Sequence, residues 1–160
     1  MSPVFGAMFG GAGAESMKTE IPLPDDELEA MLIVLQIAHL KFQNIPQKGC
    51  LAFSDLVDLA VVCDKYDLVS VVRPFFNLHQ WLDPYRGETD QEGSEELLHI
   101  GWTFGDIKIF KETAKSILLN SHLDSDSGKL INGTGKVLEG NMPSDIIGKP
   151  LVWTLVFLLD

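Results

Sequence analysis

Only one stretch of this chain alternates like a strand, Thr19-Glu20-Ile21-Pro22-Leu23, and it stands among runs whose apolar residues recur at helical spacing. A single strand cannot make a sheet, because its backbone donors and acceptors lack partners. Pro22 further confines it to an edge or to a position whose N–H is not needed. The expected fold class is therefore mostly α with minor β. The neighbours of that strand must come from sequence missing at the N-terminus or from a partner chain.

The helical runs can be placed from their punctuation. Ser2-Pro3 before Val4, Phe5, Met8 and Phe9 predicts a short helix with Ser2 as N-cap, ended by Gly10, Gly11 and Gly13. Asp25 or Asp26 is expected to cap the next helix, with Glu27 and Glu29 in its first turn. Its stripe is Leu28, Met31, Leu32, Leu35 and Ala38, and Ile33, Val34 and Ile37 cover much of the other side. A helix apolar nearly all round is expected at the centre of a fold.

After a loop with Pro46 and Gly49, Ser54 or Asp55 opens a helix carrying Leu56, Leu59, Ala60 and Cys63, with Asp55, Asp58 and Asp64 in solvent. A break at Asp64-Lys65-Tyr66-Asp67 precedes a helix from about Leu68 to Leu82, kinked or restarted at Pro74. Residues 83–93 read as a linker. Ser94 then starts a short helix with Leu97, Leu98 and Trp102, and Gly105-Asp106 stops it and caps a last one through Ile107, Phe110, Ala114, Ile117 and Leu118. Residues 121–149 read as a long loop with a weak hairpin around Asn132-Gly133.

Composition narrows the function classes. With 160 residues, 46% of them hydrophobic, the chain can bury a real core. A net charge of −11 argues against a nucleic-acid partner, since that affinity comes from Lys and Arg releasing counterions, and against an anionic membrane surface. Cys50 and Cys63 form no CxxC pair and read as buried, reduced thiols of an intracellular protein, cytoplasmic or nuclear. The N-terminus lacks a basic region and a long apolar segment of secretory type, and the apolar run Leu151–Leu159 is roughly half a membrane span.

Chemistry is hard to find. His39, His79, His99 and His122 have no metal-ligand spacing, and His39 reads as a core or capping residue. Gly133-Thr134-Gly135-Lys136 fails the phosphate-loop pattern, because Leu130 and Val137 stand where Gly and Ser or Thr are required. The pairs Asp25-Asp26 and Glu95-Glu96 are accounted for by helix N-termini. No GxSxG elbow exists. Neither a catalytic residue nor a metal, cofactor or small-molecule substrate is expected, and an enzyme with an unrecognised site is the least favoured reading.

Several segments, in order, resemble the BTB/POZ domain. Ser2-Pro3-Val4-Phe5 with Met8 and Phe9 is similar to the family's SPVFxxMF helix. Glu15-Ser16 and Glu20-Ile21-Pro22-Leu23-Pro24-Asp25-Asp26 resemble the turn and strand that follow. Glu29-Ala30-Met31, Leu35 and His39 match the next helix, and Leu59-Ala60 with Asp64-Lys65-Tyr66-Asp67 is similar to the ALADKYD segment. More loosely, Val72-Arg73-Pro74, Trp102-Thr103-Phe104-Gly105 and Phe110-Lys111-Glu112 resemble the C-terminal helices of fungal BTB-domain proteins.

The resemblance implies a layout. Residues 1–82 would be the C-terminal part of a BTB/POZ domain, 83–93 a linker, 94–149 a helical extension with a long loop, and 150–160 an atypical tail, read as a frame or splicing artefact. The strands and helix that open the family's domain are missing, so Met1 reads as an internal methionine or a misplaced start. It also implies a function, that of a protein–protein interaction adaptor that binds itself, another BTB chain or a cullin scaffold of a ubiquitin ligase. Val4, Phe5, Met8 and Phe9 are the expected core or interface residues, and Gly13 to Glu15 the expected partner turn. Cullin-binding members carry a hydrophobe-x-Glu motif at that turn. Here Glu15 is present, but Gly13 offers nothing to fill a pocket, which counts against cullin. The alternative is a truncated fragment that does not fold alone.

Overall fold

A computed structural model describes residues 2–10, 18–87, 93–125, 129–133 and 135–138. These form six α-helices and one two-stranded antiparallel sheet, a mostly helical architecture with minor β. The chain divides into two compact units, Met1–Pro84 and Tyr85–Asp160.

The first unit begins with α1 (Pro3–Phe9). Its cap is the one the sequence predicts: the Ser2 hydroxyl accepts the Phe5 N–H at 3.1 Å. The strand expected at Thr19–Leu23 does not form; this segment is extended but unpaired in any ladder among the described residues. With no neighbouring strand to take its N–H and C=O groups, alternation alone could not make it one.

Helix α2 (Leu28–Ala38) packs against α3 (Phe53–Lys65) and α4 (Val69–Leu78), and α3 packs against α4. The buried face of α2 is Ala30, Met31, Ile33, Val34 and Ile37. From the expected stripe only Met31 is inside, while Leu28, Leu32 and Leu35 are exposed. An apolar residue on either side of this helix satisfies the periodicity, so spacing could not choose the inner face.

The rest of this core comes from Leu56, Leu59, Ala60, Val62 and Cys63 of α3, Val72 and Phe76 of α4, and Trp81 and Leu82 just beyond it. Helix α4 runs through Pro74 and stops at Leu78, short of the expected Leu82. Trp81 is held in place by its indole N–H, which donates to the Pro46 carbonyl at 2.9 Å.

Three helices of this unit stop in the same way. The residue after each C-cap is left-handed without being glycine: Leu40 (φ 59°), Asp67 (φ 51°) and Gln80 (φ 51°). Each time the next N–H reaches back five residues, Lys41 to Gln36, Leu68 to Cys63 and Trp81 to Phe76. This is the Schellman arrangement, which satisfies the last carbonyls of a helix.

The second unit pairs α5 (Ser94–Phe104) with α6 (Ile107–Asn120). Gly105 (φ 71°) ends α5 by the same motif, here with the residue best suited to it. Asp106 caps α6 by accepting the Ile109 N–H at 3.1 Å, as the sequence predicts. The helices touch at Gly101, where an added Cβ would lie 3.0 Å from the Phe110 nitrogen. Leu98, Ala114, Ile117 and Leu138 form the shared core, with Phe110 and Leu130 packed against it. Ile107, expected on the inner stripe of α6, is exposed, and Ile109 is buried in its place.

Within the expected loop 121–149, β1 (Ser121–Leu123) pairs with β2 (Leu130–Asn132) in the register Ser121↔Asn132 and Leu123↔Leu130. A turn at Asn132-Gly133 then folds the chain back, so that Val137 bridges to Ile131.

Candidate functional site: an apolar groove beside α1 and α2

The groove belongs to the first unit and is best followed from its anchor. Asp26, expected as a helix cap, instead serves a contact 40 residues away. Glu27 occupies the N-cap position of α2 and makes no capping bond with its side chain. The Asp26 carboxylate, almost wholly buried, accepts the Lys65 ammonium at 2.7 Å and the Tyr66 hydroxyl at 2.5 Å. Burial pushes its pKa up, but hydrogen bonds from Lys65 and Tyr66 and the Lys65 charge outweigh that and hold it below the ordinary aspartate range. Burial and the bond to Asp26 raise the pKa of Tyr66, which keeps its hydroxyl protonated and donating.

Tyr66 also holds α1. Its carbonyl accepts the Ser2 hydroxyl, and its ring lies 4.8 Å from that of Phe5, which in turn sits 5.5 Å from Phe9. Ser2 thus caps its own helix with its oxygen and ties that helix to the end of α3 with its proton. The segment Asp64-Lys65-Tyr66-Asp67, read from sequence as a break, is the joint that fixes α1 and the approach to α2.

Between these elements lies an open groove of about 950 Å³. Phe5, Gly6 and Phe9 of α1 form one wall, Val34, Leu35 and Ala38 of α2 the other, and Leu40, Leu68 and Val71 close it. No Asp, Glu, Lys or Arg lines it, and His39 at its edge is the C-cap of α2. Leu40 is 71% exposed while held in a left-handed conformation that costs a leucine about 1–2 kcal/mol. A costly backbone state that presents an apolar side chain to solvent marks a surface made for contact.

Of the expected interface residues, Val4, Phe5 and Met8 are half-buried and Phe9 is exposed, so none is a fully buried core residue. Phe5 and Phe9 line the groove; Val4 and Met8 do not. The expected turn Gly13–Glu15 and the tail 150–160 lie outside the described residues. Sequence reasoning missed Leu40, Leu68 and Val71, because nothing in a sequence brings a helix end beside a helix 30 residues away.

Other candidates carry less. Cys63 is buried, and burial, assisted by the neighbouring Asp64 charge, pushes its thiol up to about 12. Cys50, expected inside, is exposed, since the 3-10 turn Phe42–Asn44 and the bend after it leave 47–50 at the surface. In the second unit Glu95, His99 and Thr103 are buried at four-residue spacing along one face of α5. Among the described residues no three His, Cys, Asp or Glu side chains are grouped to hold a metal, and no helix is long and apolar enough to cross a membrane. Comparison of the chain with protein-family models, curated proteins and solved structures finds no match.

Proposed function

We propose that this chain is a protein–protein interaction module, an adaptor of the BTB/POZ type that makes and breaks no bonds. The observation that carries this reading is the uncharged groove beside α1 and α2, open to solvent and continuous with the exposed leucines of α2. Binding energy at such a surface comes from a few large apolar anchors seated in a rigid frame. Phe9 and Leu40 are the anchors here, and the Ser2–Tyr66–Asp26–Lys65 chain is the frame.

Affinity capture with the tagged full chain tests the reading against a Phe9→Glu variant. Because Phe9 is 46% exposed, the charge should leave the helical circular dichroism unchanged. A protein partner retained by the native chain and lost with Phe9→Glu is the expected result. If both chains retain the same proteins, the groove is not the docking surface and the reading fails. A purified cullin scaffold forms a separate arm. Retention is not expected, because Gly13 replaces the hydrophobe of the cullin-binding motif, and its failure removes only the ubiquitin-ligase version.

A further inference from the structure

The outer face of α2 says more about what docks. Leu28, Leu32, Leu35 and His39 follow one another at spacings of four, three and four, the pattern of a coiled-coil seam. The leucines are 74%, 41% and 42% exposed, and His39 is exposed as well. The opposite face of the helix is already packed on α3 and α4, so this seam is held rigid and contributes little to the fold.

Charge on α2 is segregated to its ends. Asp25, Glu27 and Glu29 are exposed at the start, His39 and Lys41 are exposed at the finish, and residues 30–38 carry no charge. A parallel partner with the same sequence would set acid against acid. An antiparallel one sets Glu27 and Glu29 against Lys41 and opposes the helix dipoles favourably.

We infer that α2 is a self-association seam: two copies of this chain pair their α2 helices antiparallel across a twofold axis. The inference rests on the interaction-module reading and names the partner as a second copy. The twofold falls near the middle of α2, between Ile33 and Val34, so Leu28 of the second copy comes opposite His39. That is the edge of the groove walled by Leu35, Ala38 and Leu40. The most exposed leucine of one copy thus seats as a knob at the apolar opening of the other, and twofold symmetry repeats the contact.

Sedimentation equilibrium of the full chain over a range of concentrations tests this, with circular dichroism confirming that each variant is folded. A monomer–dimer equilibrium is expected, and Leu32→Glu should weaken it on the order of tenfold or more. Glu29→Lys and Lys41→Glu should each weaken it, and the double exchange should restore it, because only the antiparallel pairing brings those positions together. A folded chain that stays monomeric to about 100 μM overturns the inference. So does a dimer indifferent to Leu32→Glu, or one that the double exchange fails to restore. If the chain is monomeric but loses a different protein on Phe9→Glu, self-pairing falls and the adaptor reading stands.

Discussion

Asp26 shows how one side chain can be assigned correctly by type and wrongly by role. An aspartate before an apolar helical run is a sound cap, yet its carboxylate binds Lys65 and Tyr66, and α2 starts at Glu27 without it. Nothing local distinguishes the two fates, since the competing partners come from the far end of α3. The exchange has a measurable consequence. The folded-state pKa of Asp26 lies below its unfolded value, so its contribution is complete above about pH 4 and is lost as pH falls through the folded value. Asp26→Asn should destabilise the first unit by about 1–2 kcal/mol at neutral pH, because the hydrogen bonds lose their charged acceptor while Lys65 stays partly in solvent. Urea denaturation at pH 7 and pH 3 checks this: the difference between native and variant should shrink on acidification. A gap that persists undiminished at pH 3 would mean that the carboxylate charge is not what matters.

Helices were more legible than their ends. The existence of all six follows from apolar spacing, and the caps at Ser2 and Asp106 follow from residue type, since each bond closes within three residues. The Schellman ends at Leu40, Asp67 and Gln80 were not legible, because the glycine that usually announces them is absent. The inner face of α2 was also hidden: a helix apolar on both sides does not reveal which one packs inward and which meets a partner. The groove is illegible for the same reason, being assembled from α1, the end of α2 and the start of α4. Leu40 joins these themes and yields a prediction. Leu40→Gly relieves the left-handed strain, removes a side chain that buries little, and adds chain entropy to the unfolded state. The net expectation is a gain of about 0.5–1 kcal/mol in stability. The same change strips a wall from the groove, so partner binding should weaken as the melting temperature rises. A variant that is less stable than the native chain would show that Leu40 packs in the fold and is not a residue held for contact.

At the scale of the molecule, the charge that excludes nucleic acid also bears on self-pairing. Two copies at −11 each repel one another over a range set by salt, while the attraction between α2 ends acts only at contact. The Debye length falls from about 30 Å at 0.01 M salt to about 8 Å at 0.15 M. Repulsion between whole molecules is therefore screened across that interval far more than pairs of side chains in contact, and the burial of Leu28, Leu32 and Leu35 is nearly indifferent to it. The dimer should tighten severalfold as salt rises over this range and then level off, which sedimentation at three or four salt concentrations will show. If the association constant falls steadily instead, the contact is held by its charged ends more than by its leucines. The seam would then be an electrostatic register with little apolar energy behind it, and Leu32→Glu should weaken it far less than proposed.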